Sequence, residues 1–132
     1  MDRPKINVIA PCFIVRNAAA AAAFYRDKLG FEVIHQAPED DPFFAIVSRD
    51  AAMILVKAVG ADPAPNLTRH PWARLDAYIG VPDPDALAAE FTSRGVTFSV
   101  PLKDTSDGLR GFELKDPDGY NLFFGRPHED SD

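Results

Sequence analysis

Cysteine is nearly absent from this 132-residue chain: Cys12 stands alone. One thiol excludes an intrachain disulfide and any cluster of thiolate metal ligands, which fits a reducing cytoplasm. Histidine is scarce as well. His35, His70 and His128 lie far apart, none three or four residues from another His or from Cys12, so no local pair of metal ligands arises. Basic residues are outnumbered, 14 Lys and Arg against 20 Asp and Glu, leaving a net charge of −6. That balance argues against nucleic acid and anionic membrane surfaces, and it would suit a cationic small molecule. No uninterrupted apolar run approaches bilayer-spanning length, and Met1-Asp2-Arg3-Pro4 opens without an apolar signal segment. A phosphate-binding glycine loop, a dinucleotide fingerprint and a Ser-His-Asp order are also missing.

What is present is a chain long enough for one domain with a real core, patterned as a repeat. Residues 6–15 read as a strand, with Pro11 marking an edge or a bulge because it cannot donate to a ladder. Asn17 caps a helix whose first residues, Ala18 to Ala23, are the best helix formers, and Gly30 ends it. Strands are expected over 31–36, 43–47 and 52–56. Residues 60–71, with Pro63, Pro65 and Pro71, form the longest irregular stretch. The pattern then recurs. Residues 75–81 read as a strand, Asp83 and Pro84 start a helix, Gly95 stops it, 96–100 read as a strand and 101–110 as a loop. A hairpin closes the chain, its turn at Asp116-Pro117-Asp118-Gly119 and its strands led by 111–114 and 120–125.

The halves superimpose by counting. Asn17 to Asp83 is 66 residues, Gly30 to Gly95 is 65, and Phe31 to Val96 is 65. A near-constant offset means two similar βαβββ units, neither able to bury its sheet face alone. The expected fold class is α+β: one domain over 1–132, with repeat one at 5–59, a joint loop at 60–74, repeat two at 75–126 and a polar tail at 127–132. The two repeats are expected to form one curved, mixed, eight-stranded sheet with helices on its outer face and a concave cleft on its inner face.

The residues Val15-Arg16-Asn17, the run from Phe24 to Phe31 (Phe-Tyr-x-x-x-Leu-Gly-Phe) and the Asp116-Pro117-Asp118-Gly119 turn, with Val81-Pro82-Asp83 and Gly95-Val96 in the second half, resemble the vicinal oxygen chelate superfamily. That superfamily holds glyoxalase I, extradiol dioxygenases, and fosfomycin- and bleomycin-resistance proteins. The resemblance implies paired βαβββ units, a homodimer and a cleft for small polar or drug-like ligands, built from one chain or from two. It also implies four metal-ligand positions in the enzymes, one or two per half. Counted from the matching motifs, these fall on Ala10, Leu55, Asp76 and Phe123. Only Asp76 offers an oxygen, and one carboxylate cannot hold a catalytic divalent ion. The chain is therefore expected to be metal-free and without cofactor.

Strand alternation then sorts the inner face. Cys12 and Ile14 share the face of Ala10; Tyr78 shares that of Asp76; Asn121 shares that of Phe123; Met53 and Lys57 share that of Leu55. Trp72 stands in the joint loop, where it stacks on a ligand or staples the loop. The candidate ligand-binding residues are thus Cys12, Ile14, Met53, Leu55, Lys57, Trp72, Asp76, Tyr78, Asn121 and Phe123, an apolar and aromatic set with few orienting polar groups. Arg110 and Glu113 flank the last hairpin, where they either reach the cleft rim or, the favoured reading, form a surface ion pair. The leading expectation is a cytoplasmic, homodimeric binding protein that sequesters an amphipathic or drug-like molecule, with no nucleic-acid or membrane partner. The alternative is an enzyme of the same superfamily: a lyase or dioxygenase with displaced ligands, or an isomerase using Asp76 as base and Tyr78 as acid.

Overall fold

In the computed structural model, which describes residues 3–128, the chain forms eight strands and three helices. The first half runs β1 (Cys12–Ile14), α1 (Ala18–Leu29), β2 (Glu32–Ala37), β3 (Phe44–Arg49) and β4 (Ala52–Lys57). A short helix α2 (Asn66–Arg69) lies in the joint. The second half runs β5 (Ala77–Gly80), α3 (Pro84–Ser93), β6 (Val100–Asp104), β7 (Leu109–Lys115) and β8 (Asn121–Pro127). No helix among the described residues is long and apolar enough to cross a membrane.

The expected repeat is present, but the strands do not join into one sheet. Each half makes its own four-stranded mixed sheet, in the orders β1-β4-β3-β2 and β5-β8-β7-β6. In both, the first strand pairs in parallel with the last and the remaining pairs are antiparallel. The joining device is side-chain packing rather than a backbone ladder. Phe13, Val15, Val47, Ile54 and Val56 of the first sheet share one core with Phe91, Phe112, Leu114, Leu122 and Phe124 of the second half. Each sheet therefore turns its helix-bearing face toward this common core and its inner face away from it.

The helix signals act as read. The Asn17 side chain accepts from the backbone N–H of Ala20 (2.9 Å), and Gly30 takes a left-handed φ of 71°. Asp83 accepts from Ala86 N–H (3.0 Å), with Pro84 in the first turn. The strand boundaries need more correction. Of the strand expected over 6–15, only Cys12–Ile14 pairs, since Pro11 interrupts and Ile6, Val8 and Ile9 have no strand beside them to join. The stretch 96–100, expected as a strand, is irregular up to Val100, and β6 occupies part of the expected loop, including Pro101. An edge strand tolerates a missing donor, and the register slips between Val100 and Lys103 at that proline. The expected tail at 127–132 begins one residue late, as Pro127 closes β8; residues 129–132 lie outside the described part.

The Asp116 turn ties the halves together. Its Oδ1 accepts from the N–H groups of Asp118 (2.9 Å) and Tyr120 (3.0 Å), and its Oδ2 accepts from the Tyr25 hydroxyl of α1 (2.8 Å). Tyr120 stacks on Phe13 at 4.2 Å and donates its hydroxyl to the Ile14 carbonyl (2.6 Å). Asp118 accepts from Arg16 N–H (3.0 Å). At the other end of α1, Arg49 grips Glu90 of α3 with two bonds of 2.8 Å and the Leu29 carbonyl with one of 2.9 Å. Those bonds hold the Glu90 carboxyl below its usual range, against a smaller opposing effect of burial.

Burial pushes the Asp116 carboxyl up to about 6, outweighing its three hydrogen bonds. A native pKa above the unfolded value means the folded state binds the proton more tightly. The resulting stabilisation is full below about pH 4 and is lost as pH rises through 6. Between pH 7 and 5 the parent should therefore gain about 1 kcal/mol relative to Asp116→Asn. Urea midpoints of both proteins across that window check this; a constant difference would refute it. Tyr25→Phe, which leaves Oδ2 without its donor, should cost roughly 1–3 kcal/mol at any pH in the window.

Candidate functional site

Alternation puts Cys12, Ile14, Met53, Leu55 and Lys57 together on the inner face of the first sheet. Cys12 stands opposite Leu55, and Ile14 opposite Lys57. Their neighbours Phe13, Val15, Ile54 and Val56 are buried in the core, whereas these five are exposed or half-buried. Asn121 and Phe123 share the inner face of the second sheet with Tyr78, which stands opposite Phe123. Trp72 is exposed in the loop, with its ring 6.1 Å from that of His70, and touches none of the other candidates through an aromatic contact. Eight of the ten residues thus occupy the inner faces of two sheets rather than one wall, with Trp72 in the loop and Asp76 just before β5. Met53, Asp76 and Tyr78 do meet, lining a crevice of about 550 Å³ between the sheets with Ile9, Ala10 and Pro11.

Two candidates have their polar atoms committed. Asp76 accepts from Asn66 N–H through Oδ1 (2.7 Å) and from Asn121 N–H through Oδ2 (2.8 Å), so it staples the joint helix to the start of β8. Each oxygen of Asp76 thus already accepts one backbone N–H, which gives the carboxylate a structural task that a free general base would not have. Asn121 is buried, donating to the Arg74 carbonyl (3.2 Å) and to Glu113 Oε1 (2.9 Å). The four metal-ligand positions do not fit a divalent ion. Ala10, Leu55 and Phe123 carry no donor, and the oxygens of Asp76 are engaged. No group of three His, Cys, Asp or Glu side chains gathers for a metal elsewhere among the described residues.

The most built part of the inner face is aromatic. The Tyr78 and Phe123 rings stack at 5.2 Å and 23°. Phe123 is buried, while Tyr78 is 49% exposed above it. Phe123 can lie flat because Gly125 and Gly111 stand side by side across β8 and β7; Gly80 continues the row on β5 without reaching that ring. A Cβ on Gly111 would sit 2.5 Å from the Phe123 ring and 2.3 Å from the Phe124 carbonyl; one on Gly125 would sit 2.6 Å from the same ring. The glycines are the floor on which the aromatic pair rests.

Sequence reasoning singled out the residue beside that pair but assigned it the wrong partner. Glu113 is opposite Phe123 in the ladder, only 5% exposed, and bonded by Arg74 Nη1 at 2.7 and 2.8 Å. It does not pair with Arg110, as expected. Arg110 points to the other face, where it bonds Asp85 and Asp104. The spacing of three between them, an odd number in a strand, carried this signal. Nothing in the sequence pointed to Arg74.

A twisted pair of βαβββ sheets with helices on one side and open inner faces on the other defines the class. The Glyoxalase/Bleomycin resistance protein/Dioxygenase superfamily model matches residues 5–124, and the chain belongs to that superfamily. No curated protein matches it in sequence. Among solved structures it is similar to TioX from Micromonospora sp. ML1, with 18% identity, 91% of this chain and 98% of that one covered, and a TM-score of 0.72. A bleomycin-binding protein complexed with bleomycin is similar at 21% identity, 93% and 100% coverage, and a TM-score of 0.71. The bleomycin-binding protein of Streptomyces verticillus complexed with copper(II)-bleomycin is similar at 24% identity, 97% and 100% coverage, and a TM-score of 0.67. At these identities the likeness establishes the fold.

The glycine floor yields a contrast. Gly111→Ala drives a Cβ into backbone and should cost roughly 1–3 kcal/mol or more, whereas Gly80→Ala meets only an ordinary contact at 3.7 Å from Tyr78 and should be nearly neutral. Equilibrium unfolding of both variants checks this, and equal effects would show that Phe123 does not depend on the floor. Asp76→Ala strips acceptors from two backbone N–H groups and should destabilise by roughly 1–3 kcal/mol.

Proposed function

We propose that this chain is a metal-free binding protein that holds an amphipathic or drug-like small molecule against its inner sheet faces without altering it, as a cytoplasmic homodimer and a single domain. The observation that carries the reading is the Tyr78–Phe123 stack on its glycine floor. An aromatic ring half open to solvent, supported from beneath by a second ring, is a surface for a planar ligand. Membership of a superfamily that includes bleomycin resistance proteins supports it, as does the fold shared with two proteins solved with bleomycin bound. Ligand-free chemistry at Ala10, Leu55 and Phe123 and the engaged oxygens of Asp76 weigh toward binding rather than metal-assisted turnover. Sequestration of this kind would protect a host from a toxic drug, which is the antibiotic-resistance version of the reading.

The dimer rests on unpartnered apolar surface. Ile6 and Ile9 of the N-terminal segment are 92% and 90% exposed, and Ile34 and Phe43 are half exposed. With both inner faces turned away from the shared core, a second copy is the natural cover, giving each ligand two walls. A free Cys12 is compatible with a reducing compartment.

Light scattering after size exclusion should return twice the chain mass, and a thermal-shift screen of aromatic small molecules should find stabilising ligands whose effect is lost in Tyr78→Ala. A monomer, or ligands indifferent to Tyr78, would overturn the assignment of the inner face. A screen in which stabilising compounds are consumed rather than recovered intact would overturn the binding-only reading.

A further inference from the structure

We infer that the ligand taken by the second sheet is a planar aromatic anion, its acidic group read by Arg74 at the edge of the Tyr78–Phe123 stack. The inference rests on the inner face being the ligand-binding surface and goes on to name the ligand's chemistry. Net charge points the other way, toward a cation, so the local arrangement has to decide.

Glu113 lies next to Phe123 across the β7–β8 ladder, and Phe123 lies next to Tyr78 across β8–β5. The Glu113 and Phe123 backbones are therefore one strand spacing apart, about 4.8 Å, with both side chains on the same face. A cationic ligand would need an accessible, uncompensated carboxylate there. Instead Arg74 already supplies the counter-charge: Oε1 accepts from Arg74 Nη1 (2.7 Å) and Asn121 Nδ2 (2.9 Å), and Oε2 from Arg74 Nη1 (2.8 Å). With 7% of its side chain exposed, Glu113 has no open side to offer a second cation.

Arg74 is in the opposite condition. Its side chain is 52% exposed. All its side-chain bonds among the described residues run through Nη1, which leaves the Nε–Nη2 edge of the guanidinium unspent. That edge is the planar two-donor fork that matches a carboxylate or similar oxyanion. Glu113 acts as the positioning residue: it fixes the guanidinium by one nitrogen and leaves the fork open beside the ring stack. The rest of the face agrees in sign. Lys103 stands opposite Gly111 and Lys115 opposite Asn121, both exposed on the same side. Of the acids near this face, Glu113 and Asp76 have oxygens already engaged, and Asp107, exposed in the β6–β7 turn and within electrostatic reach of Arg74, accepts from the Thr105 hydroxyl.

The test uses three probes with one ring and different charges: 2-naphthoate, 2-naphthamide and 2-naphthylmethylammonium, each titrated calorimetrically into the full chain. Naphthoate should bind about tenfold or more tightly than the amide, the scale of one charge-assisted fork. Arg74→Met should bring that preference to about one. Because it strands Glu113 without a counter-charge, the Arg74→Met/Glu113→Gln double variant is titrated beside it, and should lose the preference while keeping the parent's thermal midpoint. A preference for the ammonium probe, or a naphthoate preference that survives in both variants, overturns the anion assignment. If the amide and ammonium bind in a Tyr78-dependent way with no advantage for naphthoate, the anion assignment fails and the inner-face reading stands. If no probe binds at millimolar concentration, both fail.

Discussion

Asp116 is a carboxylate with almost no contact with water, and the two halves of the chain meet around it. Its oxygens accept from two backbone N–H groups of its own turn and from the hydroxyl of Tyr25, which is fully buried on α1. Burying a charge is costly unless every lone pair is used, and the three donors offset part of that cost. Burial also pushes the Tyr25 hydroxyl well above its ordinary range, with the neighbouring Asp116 charge adding to it, so the phenol stays a donor. The bond thus has a fixed direction, from the first half to the second. Around it, the Phe13–Tyr120 stack and the Asp118–Arg16 contact follow from the same turn.

That lock decides which faces are free. Because α1 is drawn to the Asp116 turn and Arg49 reaches Glu90 on α3, the helix-bearing sides of both sheets close on a common core. The inner sides are left outward, and with them the apolar residues that alternate with the core. Packing of this kind leaves the inner faces open. The glycine row, the flat Phe123 ring and the half-open Tyr78 ring show that the second sheet's inner face is shaped as well as exposed. Its charge also departs from the chain's. A net charge of −6 describes the whole chain, while around this face Arg74, Lys103 and Lys115 offset Glu113, Asp76 and Asp107.

Much of the site was legible as placement and little of it as partnership. The period of two assigned Cys12, Ile14, Met53, Leu55 and Lys57 to one face and Tyr78, Asn121 and Phe123 to another, because parity in a strand is a local property. The same rule separates Arg110 from Glu113. The commitment of Asp76 to the N–H groups of Asn66 and Asn121 was not legible, since both donors come from chain brought near only by folding. Arg74, 39 residues from Glu113, was hidden for the same reason.

By itself, the amino-acid sequence determined the elements and their repetition. Asn17, Gly30, Asp83, Pro84 and the Asp116 turn act on backbone within a few residues, so their effects are written where they stand. It also determined that three of four metal-ligand positions carry no donor. Only the tertiary structure decided that the halves form two sheets sharing a core, that Pro101 lies within an edge strand, and that a buried glutamate holds an arginine beside an aromatic stack. Those outcomes depend on which surfaces exclude water together, a matter of contacts between distant residues that no local pattern encodes.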